Sequence, residues 1–176
     1  MAVLNSRKSK IPLMNKILIS ACLAGFPVRY NGSDKKTVQQ YLDRWQREQR
    51  LIIFCPELAA GFSTPRPPAE IIPTQRRRTV IASGARVVEE TGDDVTEQYL
   101  LGAWLALEMA QQHNCRFALL TDGSPSCGSQ TIYSGHFNGE TVAGSGVTAE
   151  LLRSKGVEVF SDREILSLIE RINQVG

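Results

Sequence analysis

The order of elements predicted along the chain indicates an α/β protein with a mainly parallel sheet, flanking helices and a Rossmann-like layered architecture. Short apolar runs alternate with stretches of helical periodicity. The runs at 16–21 and 51–54 are continuously apolar, as expected for strands buried on both faces of a parallel sheet. In such folds ligands bind outside the carboxyl ends of the strands, so the residues that follow each strand are the first candidates for a site.

The first half of the chain is predicted to alternate strands with one helix and a stiff loop. The predicted elements are a strand at Lys16–Ala21, a helix at Lys35–Gln49, a strand at Leu51–Phe54 and a strand or hairpin within Thr79–Val88. Helical spacing brings together the apolar residues Val38, Tyr41, Leu42 and Trp45. Three prolines between 65 and 68 predict an extended loop, because proline fixes φ and also restricts the residue before it.

The second half is predicted to continue the same alternation. Asp93, Asp94 and Thr96 offer caps for a helix that runs to about Gln112. Its expected apolar face holds Leu100, Ala103, Trp104, Leu107 and Ala110. The elements predicted after it are a strand at Arg116–Leu120, a hairpin or irregular excursion at Thr131–Val142, a helix at Thr148–Lys155 and a strand at Val157–Phe160. Ser161 and Glu164 form a capping-box pattern at the start of a last helix.

Length and composition indicate one globular domain. The chain has 176 residues, 42% of them hydrophobic, and a net charge of +2. These values exclude disorder throughout, and the charge is too small to point to nucleic acid as the main partner. No stretch of 18 apolar residues is present, so no membrane-spanning helix is expected. We predict a loose basic leader at 1–15 and a single domain at 16–176.

The start of the chain also bears on where the protein works. Ile19-Ser20-Ala21-Cys22 is similar to a lipoprotein cleavage box, but Asn15 and Lys16 interrupt the apolar run that a signal peptide needs. We therefore expect a cytoplasmic protein, in which cysteines stay reduced.

Three of the four cysteines follow predicted strands. Cys22 and Cys55 come directly after the first two strands, and Cys127 lies in the turn-rich segment after the strand at 116–120. Parallel strands place these positions at one edge of the sheet. Cys115 precedes its strand and is expected at the opposite edge. The spacing leaves three possibilities open: zinc, an iron–sulfur cluster, or buried structural cysteines without a metal.

Other chemistries are more weakly supported by the residues. A cysteine nucleophile would need a base, and His113 and His136 adjoin none of the three strand-end cysteines in sequence. No Walker motif or Gly-x-Gly-x-x-Gly follows the first strand, and Arg76-Arg77-Arg78 is interpreted as a solvated surface. The polar residues closest in sequence to the strand ends are Arg29, Glu57, Arg66, Glu70 and Ser124.

Four segments together resemble the small bacterial thiouracil desulfidase family, long catalogued as a domain of unknown function. They are Ile19-Ser20-Ala21-Cys22-Leu23-Ala24-Gly25, Cys55-Pro56-Glu57, Thr64-Pro65-Arg66-Pro67-Pro68-Ala69-Glu70-Ile71 and Ser124-Pro125-Ser126-Cys127-Gly128. The resemblance extends from about Lys16 to about Phe160. The joint occurrence of the four segments in this order is specific to the family, whereas any one segment alone is not.

The resemblance implies an activity and a set of site residues. It implies a 4Fe–4S cluster, easily lost in air, on Cys22, Cys55 and Cys127. The activity implied is removal of sulfur from a thiolated pyrimidine such as thiouracil, which gives uracil and hydrogen sulfide. Glu57 and Ser124 match the residues that assist catalysis. From their place at the strand-end edge, we expect Arg29, Arg66 and Glu70 to orient the substrate. The alternative is a metal-binding or nucleotide-binding module without catalysis.

Overall fold

The computed structural model describes residues 14–24 and 35–175. Within them the elements are, in chain order, β1 (Lys16–Ser20), α1 (Ala21–Ala24), α2 (Lys35–Arg47), β2 (Leu51–Phe54), α3 (Pro56–Ala59), β3 (Ala69–Ile72), α4 (Val80–Ser83), β4 (Arg86–Glu89), α5 (Thr96–Gln112), β5 (Cys115–Leu120), β6 (Thr131–Tyr133), β7 (Thr141–Ala143), α6 (Val147–Ser154), β8 (Glu158–Ser161) and α7 (Ile165–Val175). A 3-10 turn at Asp162–Glu164 leads into α7. The predicted α/β fold class is confirmed.

Four parallel strands form the main sheet, in the order β2-β1-β5-β8. From β1 the chain moves outward to β2, whereas from β5 it moves outward on the other side to β8. The carboxyl ends of β1 and β5 therefore border the point where the winding direction changes, which is where open α/β sheets bind ligands. Two antiparallel two-stranded sheets, β3–β4 and β6–β7, lie outside this sheet.

The core has one layer on each face of the sheet because strand side chains alternate in direction. On one face, residues of β1 and β5 pack with α2 and α7: Ile17, Ile19, Phe117, Leu119, Leu42, Trp45, Ile165 and Leu168. On the other face they pack with α5 and α6: Leu18, Ala118, Leu120, Ala103, Ala106, Leu107, Leu151 and Leu152. Burial of each such aliphatic side chain contributes about 1.5–3 kcal/mol, so these two layers hold the strand ends in place.

Helix α5 differs from the prediction in the face it buries. Trp104 was expected in the core but is 52% exposed, whereas Tyr99 and Ala106 are buried. The helix is apolar on most sides, so periodicity alone does not define which side faces inward. Small residues determine which face of α5 is buried. A Cβ on Gly102 would lie 2.6 Å from the Pro56 carbonyl oxygen, so α5 approaches α3 most closely at this glycine.

Two further predictions need correction. Strand β2 is an edge strand rather than one buried on both faces, and Ile53 is 53% exposed. Strand β3 was not predicted, because its four residues directly follow two prolines and carry little pattern of their own. It pairs with β4, and α4 occupies the start of the segment predicted as a strand or hairpin. The β6–β7 hairpin and the Ser161–Glu164 capping box are confirmed.

In the described part of the chain, no helix has both the length and the apolarity needed to cross a bilayer.

Candidate functional site

The ends of β1, β2 and β5 carry the three strand-end cysteines. Cys22 is the second residue of α1, which begins directly after β1, and its Sγ lies 2.6 Å from Thr121 Oγ1 at the end of β5. Cys55 lies between β2 and α3 and is the residue before the first turn of that helix. Cys127 lies in the loop after β5 and is buried. All three belong to the carboxyl edge of the sheet, whereas Cys115, the first residue of β5, lies at the amino edge.

Cys22 and Cys55 both affect the pKa of the Cys127 thiol. Burial raises the pKa of Cys127 to about 11, hydrogen bonds with Ser20 and Ser126 oppose the rise, and Cys22 and Cys55 add to it. Geometry brings Cys22 and Cys55 close together, because Ser20 and Phe54 are paired where β1 and β2 end. Burial also raises the pKa of Cys115 to about 11, but none of the other three cysteines influences it.

Among residues 14–24 and 35–175, no three His, Cys, Asp or Glu side chains are close enough to share one metal ion. The chemistry of the strand-end residues fits an iron–sulfur cluster, because cysteine thiolates are the ligands of such clusters. Cys22, Cys55 and Cys127 are free thiols that follow β1, β2 and β5, which are adjacent strands of the sheet.

Ser124 organises the loop that carries Cys127. Its Oγ accepts hydrogen bonds from the backbone N–H of Ser126 at 3.0 Å and of Cys127 at 3.2 Å. The same hydroxyl donates its proton to Glu57 Oε1 at 3.1 Å. One serine therefore fixes the turn before Cys127 and connects it to the helix that follows Cys55.

Glu57 is held on both sides. It lies in α3, is only 9% exposed, and its Oε2 pairs with Arg66 Nη2 while Oε1 takes the hydrogen bond from Ser124. The result is a chain of polar contacts that runs from Arg66 through Glu57 to Ser124.

These polar groups line a cavity of about 690 Å³. Its wall is made by the proline loop, the β6–β7 hairpin and the polar groups just described, and includes Glu57, Arg66, Pro67, Glu70, Tyr99, Ser124, Tyr133 and Phe137. None of the described cysteines lines it, but Ser124, three residues before Cys127, and Glu57, two residues after Cys55, do. A second cavity, of about 780 Å³ around Val80, Arg86 and Thr96, shares no residue with this site, and neither its lining nor its place suggests a role in the same chemistry.

Glu70, another expected substrate-binding residue, differs from Arg66. Glu70 lines the cavity but is buried, and its Oε1 accepts hydrogen bonds from the backbone N–H of Gly135 at 2.9 Å and of Phe137 at 3.2 Å. It therefore anchors the tip of the β6–β7 hairpin. Arg29 lies outside the described residues.

The sequence prediction missed Tyr99 and Asp122. Asp122 follows β5 directly, and its Oδ1 accepts hydrogen bonds from the backbone N–H groups of Gly123, Ser129, Gln130 and Thr131 at 3.0–3.2 Å. Burial opposes ionisation of Asp122, but these backbone hydrogen bonds outweigh it and lower its pKa. Its place at a strand end was a usable signal. Tyr99 gave none, because it lies within an apolar helical pattern.

Comparisons with known proteins show the family of this chain. Residues 17–164 match the sequence model of a family described as 2-thiouracil desulfurase. The uncharacterized protein YbbK of Bacillus subtilis (strain 168) is 43% identical over 155 residues, which cover 87% of this chain and 99% of that protein. A solved structure described as a 4Fe-4S-dependent thiouracil desulfidase, TudS, is 46% identical with a TM-score of 0.75, covering 91% of this chain and 99% of its own. Because the family match spans most of its length, the chain belongs to the 2-thiouracil desulfurase family.

Proposed function

We propose that this protein is a desulfidase that uses a 4Fe–4S cluster to convert a thiolated pyrimidine, of the 2- or 4-thiouracil type, and water into uracil and hydrogen sulfide. The observation that carries the proposal is a cavity lined by a carboxylate, a serine and an arginine, on the loops that carry the cysteines at the ends of three adjacent strands. The family match and the similarity to a 4Fe-4S-dependent thiouracil desulfidase support it. The reaction balances without an oxidant or reductant, because water supplies the oxygen of uracil and both hydrogens of the sulfide product.

Cys22, Cys55 and Cys127 would hold the cluster. They are unpaired thiols on three neighbouring loops, whereas Cys115 lies at the other edge. When bound by three thiolates, such a cluster leaves one iron without a protein ligand, and that iron is a Lewis acid with a preference for soft sulfur.

Glu57 is the proposed general base and takes a proton from the attacking water. Ser124 and Arg66 fix the direction of its carboxylate, and each carboxylate oxygen keeps a lone pair for a further hydrogen bond. Ser124 orients Glu57 rather than standing free, because its only proton is donated to Oε1 and its oxygen accepts two backbone N–H groups.

Arg66 is the proposed substrate-orienting group. A guanidinium carries five N–H donors, and the contact with Glu57 leaves donors for the carbonyl oxygen of a planar heterocycle. We keep Arg29 as a proposed second group, and Glu70 as a residue that contributes through the hairpin it anchors.

We also propose that the protein works in the cytoplasm, where free thiols such as its four cysteines stay reduced.

The test is to prepare the protein anaerobically, reconstitute it with iron and sulfide, and measure bound iron and uracil formation. The wild type should bind about four irons and release uracil and sulfide from thiouracil in equal amounts. Cys22→Ser, Cys55→Ser and Cys127→Ser should each lose most of the iron and the activity, because each removes one anchoring thiolate. Cys115→Ser is the matched control and should keep both.

Two results would contradict the proposal in different ways. Iron retained in all three ligand variants would reject the cluster site. A fully loaded wild type that turns over neither 2-thiouracil nor 4-thiouracil would reject the activity and favour a metal-binding module without catalysis.

A further inference from the structure

Phe137, at the tip of the β6–β7 hairpin, has a backbone conformation that is unusual for its residue type. Its φ is 52°, in the left-handed region that glycine and asparagine adopt far more readily than a residue with a bulky side chain. Among the described residues it is the one aromatic residue in that region. Such a conformation is unfavourable and persists only where the surrounding structure enforces it.

Strand β3 enforces this conformation from below. The buried carboxylate of Glu70 accepts hydrogen bonds from the backbone N–H of Gly135 at 2.9 Å and of Phe137 at 3.2 Å. The backbone of the hairpin also lies directly against the strand, since a Cβ on Gly135 would be 2.7 Å from the Ile71 carbonyl oxygen. The hairpin tip is thus fixed on β3, and Phe137 is fixed with it.

The side chain of Phe137 accounts for a strain that the turn itself does not need. A glycine at this position would form the same turn without strain. The side chain is half-buried and lines the cavity that Glu57, Arg66 and Ser124 also line. The cavity therefore combines polar groups with a rigidly placed aromatic ring.

This combination suits a planar heterocycle. A thiolated pyrimidine has hydrogen-bonding groups around its rim and two flat faces that bear none. Arg66 and Glu57 can serve the rim, and an aromatic ring can pack on a face, because every base has a π-face on which aromatic side chains stack.

We propose that Phe137 supplies the aromatic face on which the pyrimidine ring stacks. The inference rests on the proposed function, since it names a determinant of substrate binding at the same site. If the ring only covered the hairpin, its removal would lower stability and leave the affinity for the pyrimidine unchanged.

The test compares cluster-loaded wild type with Phe137→Gly, which removes the ring and relieves the strain at this φ. The KM for thiouracil should rise about 5- to 100-fold, the effect of losing one stacking contact with a base. The kcat should change less than about threefold, because stacking stabilises the bound substrate and the transition state alike. The dissociation constant for uracil, measured by calorimetry, should rise by the same factor as KM, which gives a readout independent of turnover.

Two further variants separate the flat ring from apolar bulk. Phe137→Leu keeps the strained backbone and most of the apolar volume but has no ring, and its uracil affinity should fall at least about threefold. Phe137→Tyr keeps the ring, and its uracil affinity should stay within about twofold of the wild type.

Gln49→Gly is the matched control for the release of backbone strain. Gln49 is an exposed residue with a φ of 55°, in the turn between α2 and β2 and outside the cavity. Its replacement should leave KM and uracil affinity unchanged, with an unfolding midpoint equal to or above that of the wild type. Iron content and the unfolding midpoint are measured for every variant. In Phe137→Gly the iron content should match the wild type, and the relieved strain should offset most of the lost packing.

Two results would overturn the inference. The first is a Phe137→Gly enzyme with KM and uracil affinity within about twofold of the wild type. If Tyr133→Leu then loses affinity, the aromatic face belongs to Tyr133, which also lines the cavity and is 41% exposed. The second is a Phe137→Leu enzyme with wild-type affinity, which would show that apolar bulk suffices.

Both results leave the proposed function standing if the loaded wild type turns over thiouracil. A loaded wild type that binds uracil but turns over no thiouracil rejects the proposed function, and the uracil affinities of the variants then decide the inference by themselves. A loaded wild type that binds neither compound rejects both.

Discussion

At the scale of single residues, a substitution of Glu57 distinguishes catalysis from cluster assembly. Glu57→Gln should keep the iron content, because Glu57 is not a proposed ligand, and should lower the rate of desulfuration by about 10²- to 10⁴-fold, the usual effect of losing a general base. Glutamine can still accept the proton of Ser124 but cannot take one from water. Iron analysis and turnover of the same preparation check this prediction.

The control for this prediction is Glu170→Gln, at an exposed glutamate of α7 on the far side of the sheet. It should match the wild type in both measurements. A fully loaded Glu57→Gln enzyme with near-normal turnover would assign Glu57 to the structure of the turn after Cys55 rather than to the chemistry.

Ser124 should behave differently from Glu57. Ser124→Ala removes the acceptor for two backbone N–H groups as well as the donor to Glu57, so it should reduce both turnover and iron retention. We expect a loss of stability of about 1–2 kcal/mol and turnover about 10- to 100-fold lower. Ser124→Thr, which keeps the hydroxyl, should recover most of the iron. Full iron in Ser124→Ala would show that the hydroxyl does not hold the Cys127 turn.

The residue scale is also where sequence patterns were most and least informative. The three strand-end cysteines could be assigned to one edge because the direction of parallel strands follows from their order along the chain. The pairing of Arg66 with Glu57 could not be predicted, since it joins a loop to a helix through side chains with no shared periodicity. Glu70 was expected to meet substrate, and only the structure shows that its Oε1 is taken by the hairpin backbone.

At the scale of elements, the close approach of α5 to α3 sets the position of Glu57. Gly102→Ala would place a Cβ 2.6 Å from the Pro56 carbonyl oxygen, and backbone cannot move aside as a flexible side chain can. We expect α3 to be displaced, with a loss of stability of about 1–3 kcal/mol and a fall in turnover. Denaturant unfolding and enzyme kinetics check this prediction. Gly92→Ala is the comparison variant: a Cβ there meets nothing within 4 Å, so a loss of stability would come from its φ of 97° and not from a clash.

The elements that sequence predicted well are those with dense local signals. The last helix has a capping box at a fixed spacing, whereas the weak alternation at Thr131–Val142 left both a hairpin and an irregular excursion open until the structure showed β6 paired with β7. By contrast, β3 is defined by its pairing with β4, a contact with no local signature in four residues after two prolines. Trp104 was misplaced because the inward face of an apolar helix is chosen by where glycine and alanine permit close packing.

At the scale of the whole molecule, Asp122 should make stability depend on acid. Its pKa is lowered in the folded state, so its carboxylate stabilises the fold above the unfolded pKa of about 4, and this contribution is lost as the pH falls through the folded value. Asp122→Asn should therefore be less stable than wild type near pH 7, with the difference shrinking below about pH 4. Unfolding free energies measured from pH 2 to 7 check this.

Asp43→Asn is the matched control, because Asp43 lies exposed on α2. The difference between Asp43→Asn and wild type should stay small and flat across the range. A constant difference for Asp122→Asn at all pH values would mean that its charge does not contribute, and that shape and neutral hydrogen bonding suffice in the loop.

The order of strands in the sheet also determines when the site can form during protein synthesis. Cys22 and Thr121 touch across the centre of the sheet although 99 residues separate them along the chain. A ribosome adding about 5–20 residues per second needs roughly 5–20 s to make that stretch. Until β5 is released and pairs with β1, the nascent chain displays Cys22 and Cys55 without their third neighbour. The centre of the sheet and the complete set of thiols thus appear together, late in synthesis, in a single event of strand pairing.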